Sequence, residues 1–551
     1  MKGFSRMEGH STLVFCFYLI TVNHVTCSDP EVLEYLNRTQ PALRQLAEFK
    51  LKHPKPIGIL TTSAGKLVEL RETTTLNSDS FSNQYFVDSL SHSDAERIPE
   101  RVVHAKGIGA HGYFEVTHDV SKYTKADVFN GVGKKTPVFG RFSVAAQNLG
   151  GSDLVREQKG LALKFYTREG NLDLLCIHIP VYFYKDPLEF VPISHAAKRN
   201  PRSTLFDTTM TLDIVTKRPD NVHGQLWVNS DFGLPNGYRK INQFPIHTYE
   251  INNKQGEKFY VKFNFISNQG IEFLSDEVAR KIGDIDYFNR DLYNAIKNGD
   301  YPSWNLEMDL MTMDDIKKLD YDPFDLTRLW KKGTYKTVQI GRVIFNRNSD
   351  NQFRDHELSA FNPGHLVPGI PGPMDNLFRG RRFAYRDAHT HRLGINHNRV
   401  EINKPLYSKA YDRDGVPPVR ENMKDAPNYY PNSFNGPVPY VDPSRPKERL
   451  VIYERNAVDL EPAAEFYNEF LQTEGQRERL VNTTVRSILP IPPELQRRVI
   501  RLYTLTDEDL GTRVAEGLKR ALRMPPPPPP RVIRLNPRNA NDHPRQHYYS
   551  T

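Results

Sequence analysis

The sequence predicts an α+β fold, an antiparallel β core followed by a small helical domain. Two observations predict it. Between about residues 61 and 345 short apolar segments recur with turn punctuation, and one of them, Phe259-Tyr260-Val261-Lys262-Phe263-Asn264-Phe265, alternates with period two. From about residue 456 the period lengthens: Ala463, Phe466, Phe470 and Leu471 form a helical stripe that Leu480, Val485 and Leu489 continue.

The chain opens with Lys2 and Arg6 ahead of the apolar stretch Leu13–Val22, and small residues follow at Val25-Thr26-Cys27. That layout predicts a signal peptide over residues 1–27 and a secreted, extracellular product. The stretch is too short for a membrane span and no other apolar run approaches it, so no membrane association is expected after cleavage. Residues 28–60 read as a polar N-terminal arm, and residues 61–395 carry the β core. Val138-Phe139-Gly140-Arg141-Phe142-Ser143 is a further strand of that core. Many short strands in one unit imply an antiparallel sheet or barrel, although alternation alone does not show closure. Residues 396–450, rich in Pro, Asn and Tyr, are expected to be irregular, and residues 451–523 form the helical domain. Pro525 to Pro530 open a tail, residues 524–551, that is restricted to extended polyproline II where the prolines run.

With 551 residues the chain is long enough for a sizeable core. The formal net charge is +8, but Lys and Arg are dispersed, which argues against a nucleic-acid partner. Cleavage after Cys27 leaves Cys176 alone, so no intrachain disulfide is expected. Asn37-Arg38-Thr39 and Asn482-Thr483-Thr484 are glycosylation acceptors on a secretory route. The terminal Tyr549-Ser550-Thr551 is not a peroxisomal address.

The segment Arg381-Arg382-Phe383-Ala384-Tyr385-Arg386-Asp387-Ala388-His389-Thr390-His391-Arg392 carries the strongest chemical signal. On a helix, Arg381, Tyr385, Ala388 and Arg392 share one face. A phenol beside guanidinium groups ionises more readily than a free one. An ionised phenol is a hard oxygen ligand suited to ferric iron.

Other motifs accompany it. They are Arg97-Ile98-Pro99-Glu100-Arg101-Val102-Val103-His104-Ala105-Lys106-Gly107, Gly112-Tyr113-Phe114-Glu115-Val116-Thr117, Lys134-Lys135-Thr136-Pro137 and Arg141-Phe142-Ser143. Further on stand Tyr301-Pro302-Ser303-Trp304, Phe324-Asp325-Leu326-Thr327, Asn346-Arg347-Asn348 and Pro427-Asn428-Tyr429-Tyr430-Pro431-Asn432-Ser433-Phe434. In this order, from about Thr61 to Phe434, the series resembles the monofunctional haem catalases. The resemblance implies an eight-stranded barrel holding haem, ferric protoporphyrin IX, with Tyr385 as iron ligand. It implies decomposition of hydrogen peroxide to water and oxygen by a homotetramer whose irregular segment wraps the core.

By the same resemblance Arg381 keeps the Tyr385 phenolate charged, with Asp375 and His247 behind it. His104 matches the distal histidine that moves a peroxide proton, and Ser143 the serine that orients its ring. Arg101, Arg141 and Arg392 match the arginines that pair with haem propionates, a task suited to the guanidinium fork. Phe190 matches the aromatic that stacks on the porphyrin. Arg101 and His104, three residues apart, would face opposite sides of a flat strand, so their common service rests on the resemblance.

The sequence departs from the family at Cys176-Ile177-His178-Ile179-Pro180, where the family has Gly-Asn-Asn-Thr-Pro. Ile177 stands at the amide that would hydrogen-bond peroxide, and isoleucine neither donates nor accepts. His178 faces the other way in a regular strand, and only a one-residue bulge would bring it in. Gly140 and Ala145 replace valines, which would widen the substrate approach. The expectation is a haem catalase with a weakened distal pocket. The alternatives are a secreted haem-binding relative with a structural or binding role and a haem enzyme for other hydroperoxides.

Overall fold

In the computed structural model the described residues are 41–74, 83–418, 422–442 and 460–523. The signal segment, the Asn37 acceptor and the proline tail lie outside them. The described residues fall into two compact units, divided between residues 444 and 445.

The first unit is built on strands β1 (Gly107–Val116), β2 (Lys135–Val144), β3 (Lys159–Thr167), β4 (Gly170–Ile177), β5 (Tyr249–Asn252), β6 (Lys258–Ser267), β7 (Ser303–Met311), β8 (Lys336–Asn348) and the two-residue β9 (Gly372–Pro373). They form one antiparallel sheet in the order β4-β3-β2-β1-β8-β7-β6-β5-β9. The sheet curls onto itself ahead of β5. Ile177 at the end of β4 bridges Phe244, and Gln243 bridges Phe265 of β6. Strands β1 to β8 therefore make the expected eight-stranded barrel, with no free edge at that seam.

Period-two alternation fills the barrel. Phe114, Phe142, Phe165, Phe265, Trp304 and Phe345 point inward and are essentially removed from solvent. The one polar atom of the Trp304 ring is satisfied, its Nε1–H donating to the Ile241 carbonyl at 2.8 Å. The β core is less purely β than the sequence suggested. Helices Phe190–Ala196, Thr208–Lys217 and Val222–Asn229 interrupt it between β4 and β5, and Asp276–Ile282 and Tyr287–Lys297 between β6 and β7. The expected arm contains a helix, Pro41–Lys52. The described parts of 396–442 hold only short turns, as their proline content predicts.

Helix Asn376–Leu393 carries Tyr385. Asp375 caps it, the carboxylate accepting from the Phe378 N–H at 2.8 Å, and Gly394 ends it at φ 89°. Among the described residues no helix is long and apolar enough to cross a membrane.

The second unit packs helices Glu474–Ile488, Pro493–Thr506 and Glu508–Arg523 around Tyr467, Val481, Val485, Ile488, Leu510, Val514 and Leu518. The predicted stripe is corrected here. Phe466 and Phe470 are 49% and 70% exposed, because residues 466–470 form a wider π turn closed by the Leu471 N–H on the Phe466 carbonyl at 3.2 Å. Tyr467 faces inward instead and donates its hydroxyl to Asp509 at 2.5 Å. Asn482 lies exposed on its helix.

Candidate functional site

The strand register sets out one wall of the site. Gly107, Ser143, Gly160 and Ile177 pair in a row across β1, β2, β3 and β4. Their inward neighbours Phe142, Leu161 and Cys176 belong to the barrel core, so the row faces outward. His104 lies over this row. Its Nδ1 is 2.9 Å from Ser143 Oγ, and a Cβ added to Gly160 would fall 2.8 Å from its Cε1. The ring thus occupies the space that glycine leaves.

His104 does not sit on a strand. Residues 101–106 form a turn ahead of β1, and His104 adopts φ 59°, held by its N–H on the Ala145 carbonyl at 2.8 Å. A left-handed histidine is strained by about 1–3 kcal/mol and persists only where its surroundings enforce it. The turn removes the opposite-face objection to Arg101 and His104, since strand alternation does not apply to them. Burial, with the charges of Arg141, Arg381 and Arg101, pushes the His104 pKa down to about 3. The imidazole is neutral at ordinary pH.

Tyr385 heads a half-buried chain of polar contacts. Arg381 lies one helical turn before it, with Nη2 donating to the Tyr385 hydroxyl at 3.4 Å and the guanidinium 5.4 Å from the ring centre. Arg381 Nη1 donates to His247 Nε2 at 2.6 Å, and His247 Nδ1 meets Asp375 at 2.9 Å. Arginine only donates, so Nε2 accepts and the proton sits on Nδ1, facing the carboxylate. Burial pushes His247 down to about 4, which keeps it in that neutral form. For Arg381 burial opposes the charge, but the Tyr385 oxygen beside it outweighs this and raises its pKa above the usual arginine value. The chain direction at His247 is set by a tight turn: Ile246 at φ 59° and the His247 N–H on the Pro245 carbonyl at 2.8 Å.

Arg101, Arg141 and Arg392 lie close enough to act on one another. Arg101 Nη2 donates to the carbonyls of His356, Glu357 and Ser359 at 2.8, 3.1 and 3.0 Å. Arg392 donates to the Pro99 and Glu357 carbonyls at 2.9 and 3.1 Å, and Arg141 to Ala105 at 2.9 Å. The carboxylate facing them is Glu357, 3.5 Å from Arg101 and 3.7 Å from Arg392. Three guanidinium groups against one carboxylate leave two positive charges uncompensated. Burial pulls all three pKa values down, Arg141 to about 10, and their mutual repulsion adds at Arg101 and Arg141. Arg141 Nε and Arg392 Nη1 are buried without a partner. Glu357 and Gly160 were not anticipated, and neither stands out in the sequence.

Phe190 begins its short helix and packs in a cluster with Ile177, Ile179, Tyr184, Ile246 and Leu377. Ile177 faces the His104 side of the wall. His178 does not rescue it, since its Nδ1 accepts from the Lys159 N–H at 2.9 Å and its Nε2 lies 2.6 Å from the Phe232 carbonyl. Gly140 corrects the expectation of a wider approach. It faces into the barrel, where a Cβ would fall 2.4 Å from the Phe345 ring, so the glycine makes room for Phe345. Ala145 stays beside His104 through its carbonyl.

Comparison with known proteins agrees with this architecture. A family model described as Catalase matches residues 61–436, and one described as Catalase-related immune-responsive matches residues 459–518. The chain is 44% identical to a catalase of Methanosarcina barkeri over 79% of this chain and 88% of that one. It is 39% identical to catalase-2 of Caenorhabditis elegans over 87% of this chain and 98% of that one. A fungal catalase structure superposes with a TM-score of 0.68 at 32% identity, covering 84% of this chain and 97% of the other. The chain belongs to the catalase family. It is an enzyme of that class, whose cofactor is haem and whose substrate is hydrogen peroxide.

The residues present fit haem. A buried site with two surplus positive charges and unpartnered guanidinium N–H groups suits a group that brings two carboxylates.

Proposed function

We propose that this chain is a secreted haem catalase whose peroxide turnover is slowed at Ile177. The observation that carries the haem assignment is the arginine trio, because a buried dication without a dianion is costly and the two propionates of protoporphyrin IX would supply one. In this reading Tyr385 is the iron ligand and Arg381 stabilises its phenolate, backed by His247 and Asp375. Phe190 packs against the porphyrin.

Haem, when bound, supplies a ferric centre at which the peroxide O–O bond is broken and dioxygen is formed. The residues of this chain handle the protons. With Nδ1–H donating to Ser143 Oγ, His104 presents the lone pair of Nε2. A neutral ring takes the proton from one peroxide oxygen and returns it to the other, which leaves as water. Ile177 offers that oxygen no hydrogen bond. A missing bond of this kind costs about 1–3 kcal/mol, roughly tenfold to a hundredfold in rate.

Oxygen evolution by the purified, haem-loaded protein beside an Ile177→Asn variant tests the reading. Measurable turnover in the parent and roughly ten- to hundredfold more in the variant are expected. No turnover at full haem occupancy would sink the catalase reading in favour of a haem-binding relative with other work. The apolar cluster that Ile177 and Phe190 share favours one second reading, a preference for organic hydroperoxides, which an alkyl hydroperoxide assayed beside hydrogen peroxide separates.

A homotetramer is part of the proposal. Exposed apolar side chains at Ile57, Ile59, Leu60, Tyr430, Phe434 and Tyr440 support contacts with further copies, and sedimentation measures the state. Secretion rests on the signal-like N-terminus, and glycosidase treatment of protein from a secreting host tests Asn37 and Asn482.

A further inference from the structure

Tyr182 and Tyr184 follow β4 where the chain leaves the barrel wall. Their rings meet at 4.7 Å and 62°, and their hydroxyl oxygens lie 3.1 Å apart. Tyr182 is anchored by its N–H on the Leu326 carbonyl at 2.8 Å. Both belong to the cluster that holds Ile177 and Phe190 on one side and Leu377, one turn before Arg381 on the Tyr385 helix, on the other. The pair therefore packs in one apolar cluster with a residue of the wall below His104 and a residue of the Tyr385 helix.

A phenol has one O–H to give and room to accept. Burial raises both pKa values, so both phenols keep their protons at ordinary pH. Either hydroxyl can donate to the other, and one bond between two phenols leaves one O–H over. Tyr184 is buried and Tyr182 half-buried, so Tyr182 is the more open phenol and the one placed to offer that spare O–H. Tyr182 then keeps its own proton for another partner, and among the described residues its hydroxyl has no contact besides Tyr184. A polar group arriving beside it gains by accepting that O–H.

We infer that the Tyr182 phenol donates a hydrogen bond to the ligand in the distal pocket, the service Ile177 cannot give, and that Tyr184 is a positioning residue that orients it. The inference rests on the haem reading above. It makes the pocket a phenol-donor site in place of an amide-donor one.

Fluoride, a small anion that binds ferric haem and accepts hydrogen bonds, tests this by absorption titration of the full-length haem-loaded protein. Tyr182→Phe is expected to weaken fluoride binding about tenfold or more with the Soret band intact. Tyr184→Phe is expected to weaken it about two- to fivefold, and adding Ile177→Asn to Tyr182→Phe to recover most of the loss. Fluoride affinity within twofold of the parent in Tyr182→Phe overturns the inference. If that variant holds no haem, Tyr184→Phe decides, and an unchanged affinity there overturns it. A parent protein that gains no Soret band overturns the haem reading and this inference together, whereas a parent band with unchanged fluoride affinity overturns this inference alone.

Discussion

The two sides of the site are built on different terms. On the Tyr385 side every polar group has a named partner, running from the phenol through Arg381 and His247 to the helix-capping carboxylate of Asp375. On the His104 side one hydrogen bond to Ser143 orients the ring among the described residues, and the wall continues through Gly160 to the apolar Ile177. The first side is over-determined and the second rests on few contacts. Iron holding and proton handling should therefore fail differently under mutation. Variants on the Tyr385 side should change spectra, and those on the His104 side should change rates while spectra persist.

The largest expected effect lies on the Tyr385 side. Tyr385→Phe removes the only oxygen of the side chain and leaves the half-buried Arg381 cation with His247 alone, so the haem spectrum should change and oxygen evolution disappear. A parent-like spectrum in this variant would break the comparison at its root. His104→Ala comes next. It should keep the Soret band yet lose about 10²- to 10⁴-fold in turnover, the usual worth of a positioned proton carrier. Loss of haem instead would mean that the two sides are not separable.

Both sides contain histidines that the fold keeps neutral, and acid should expose that. Burial holds His104 at about 3 and His178 and His247 at about 4, whereas unfolded histidine titrates near 6.5. Between those values the unfolded chain binds more protons, so stability falls as pH falls from about 6.5 towards 4. Each such histidine contributes a slope of about 1.4 kcal/mol per pH unit in that window. Urea midpoints at pH 7, 5.5 and 4.5 measure it, and a flat profile would contradict burial of the neutral rings.

Much of this was legible in the sequence, for identifiable reasons. Tyr385 and Arg381 are four apart on one helix, so their contact follows from helical spacing alone. The barrel strands declare themselves by alternation, and only the closing bridges at Phe244 and Gln243 are too short to show a period. Glu357 was invisible, because it meets Arg101 across 256 residues of chain and nothing local marks it. Gly140 was misread because its neighbour is decided by the inward face of β2, where Phe345 lies over it. Phe466 and Phe470 were misread because a π turn breaks the 3.6 period on which the stripe rested.

The smaller predictions sharpen the His104 side. Gly160→Ala puts a methyl group 2.8 Å from His104 Cε1, too close for an unshifted ring. Displacing a reacting group by up to an ångström costs as much as a hundredfold, so a turnover loss of about tenfold with intact haem content is expected. Wild-type turnover here would mean that the ring has room to move without consequence.

Ser143→Ala should show the least. It deletes the only hydrogen-bond partner of His104 Nδ1 among the described residues and leaves a small void, while the left-handed backbone and the Ala145 contact still hold the residue in place. A neutral hydrogen bond nets about 0.5–1.5 kcal/mol, so turnover should drop by roughly two- to twelvefold. The tautomer adds a second readout. Without Ser143 to accept from Nδ1, the proton redistributes between the ring nitrogens, and the fraction with a free Nε2 lone pair falls. The kcat should therefore fall with haem content and fluoride affinity nearly unchanged. Ser143→Thr, which keeps the hydroxyl, should recover part of the rate. If Ser143→Thr is no better than Ser143→Ala, the serine acts by fitting its space and the hydrogen bond to His104 carries no catalytic weight.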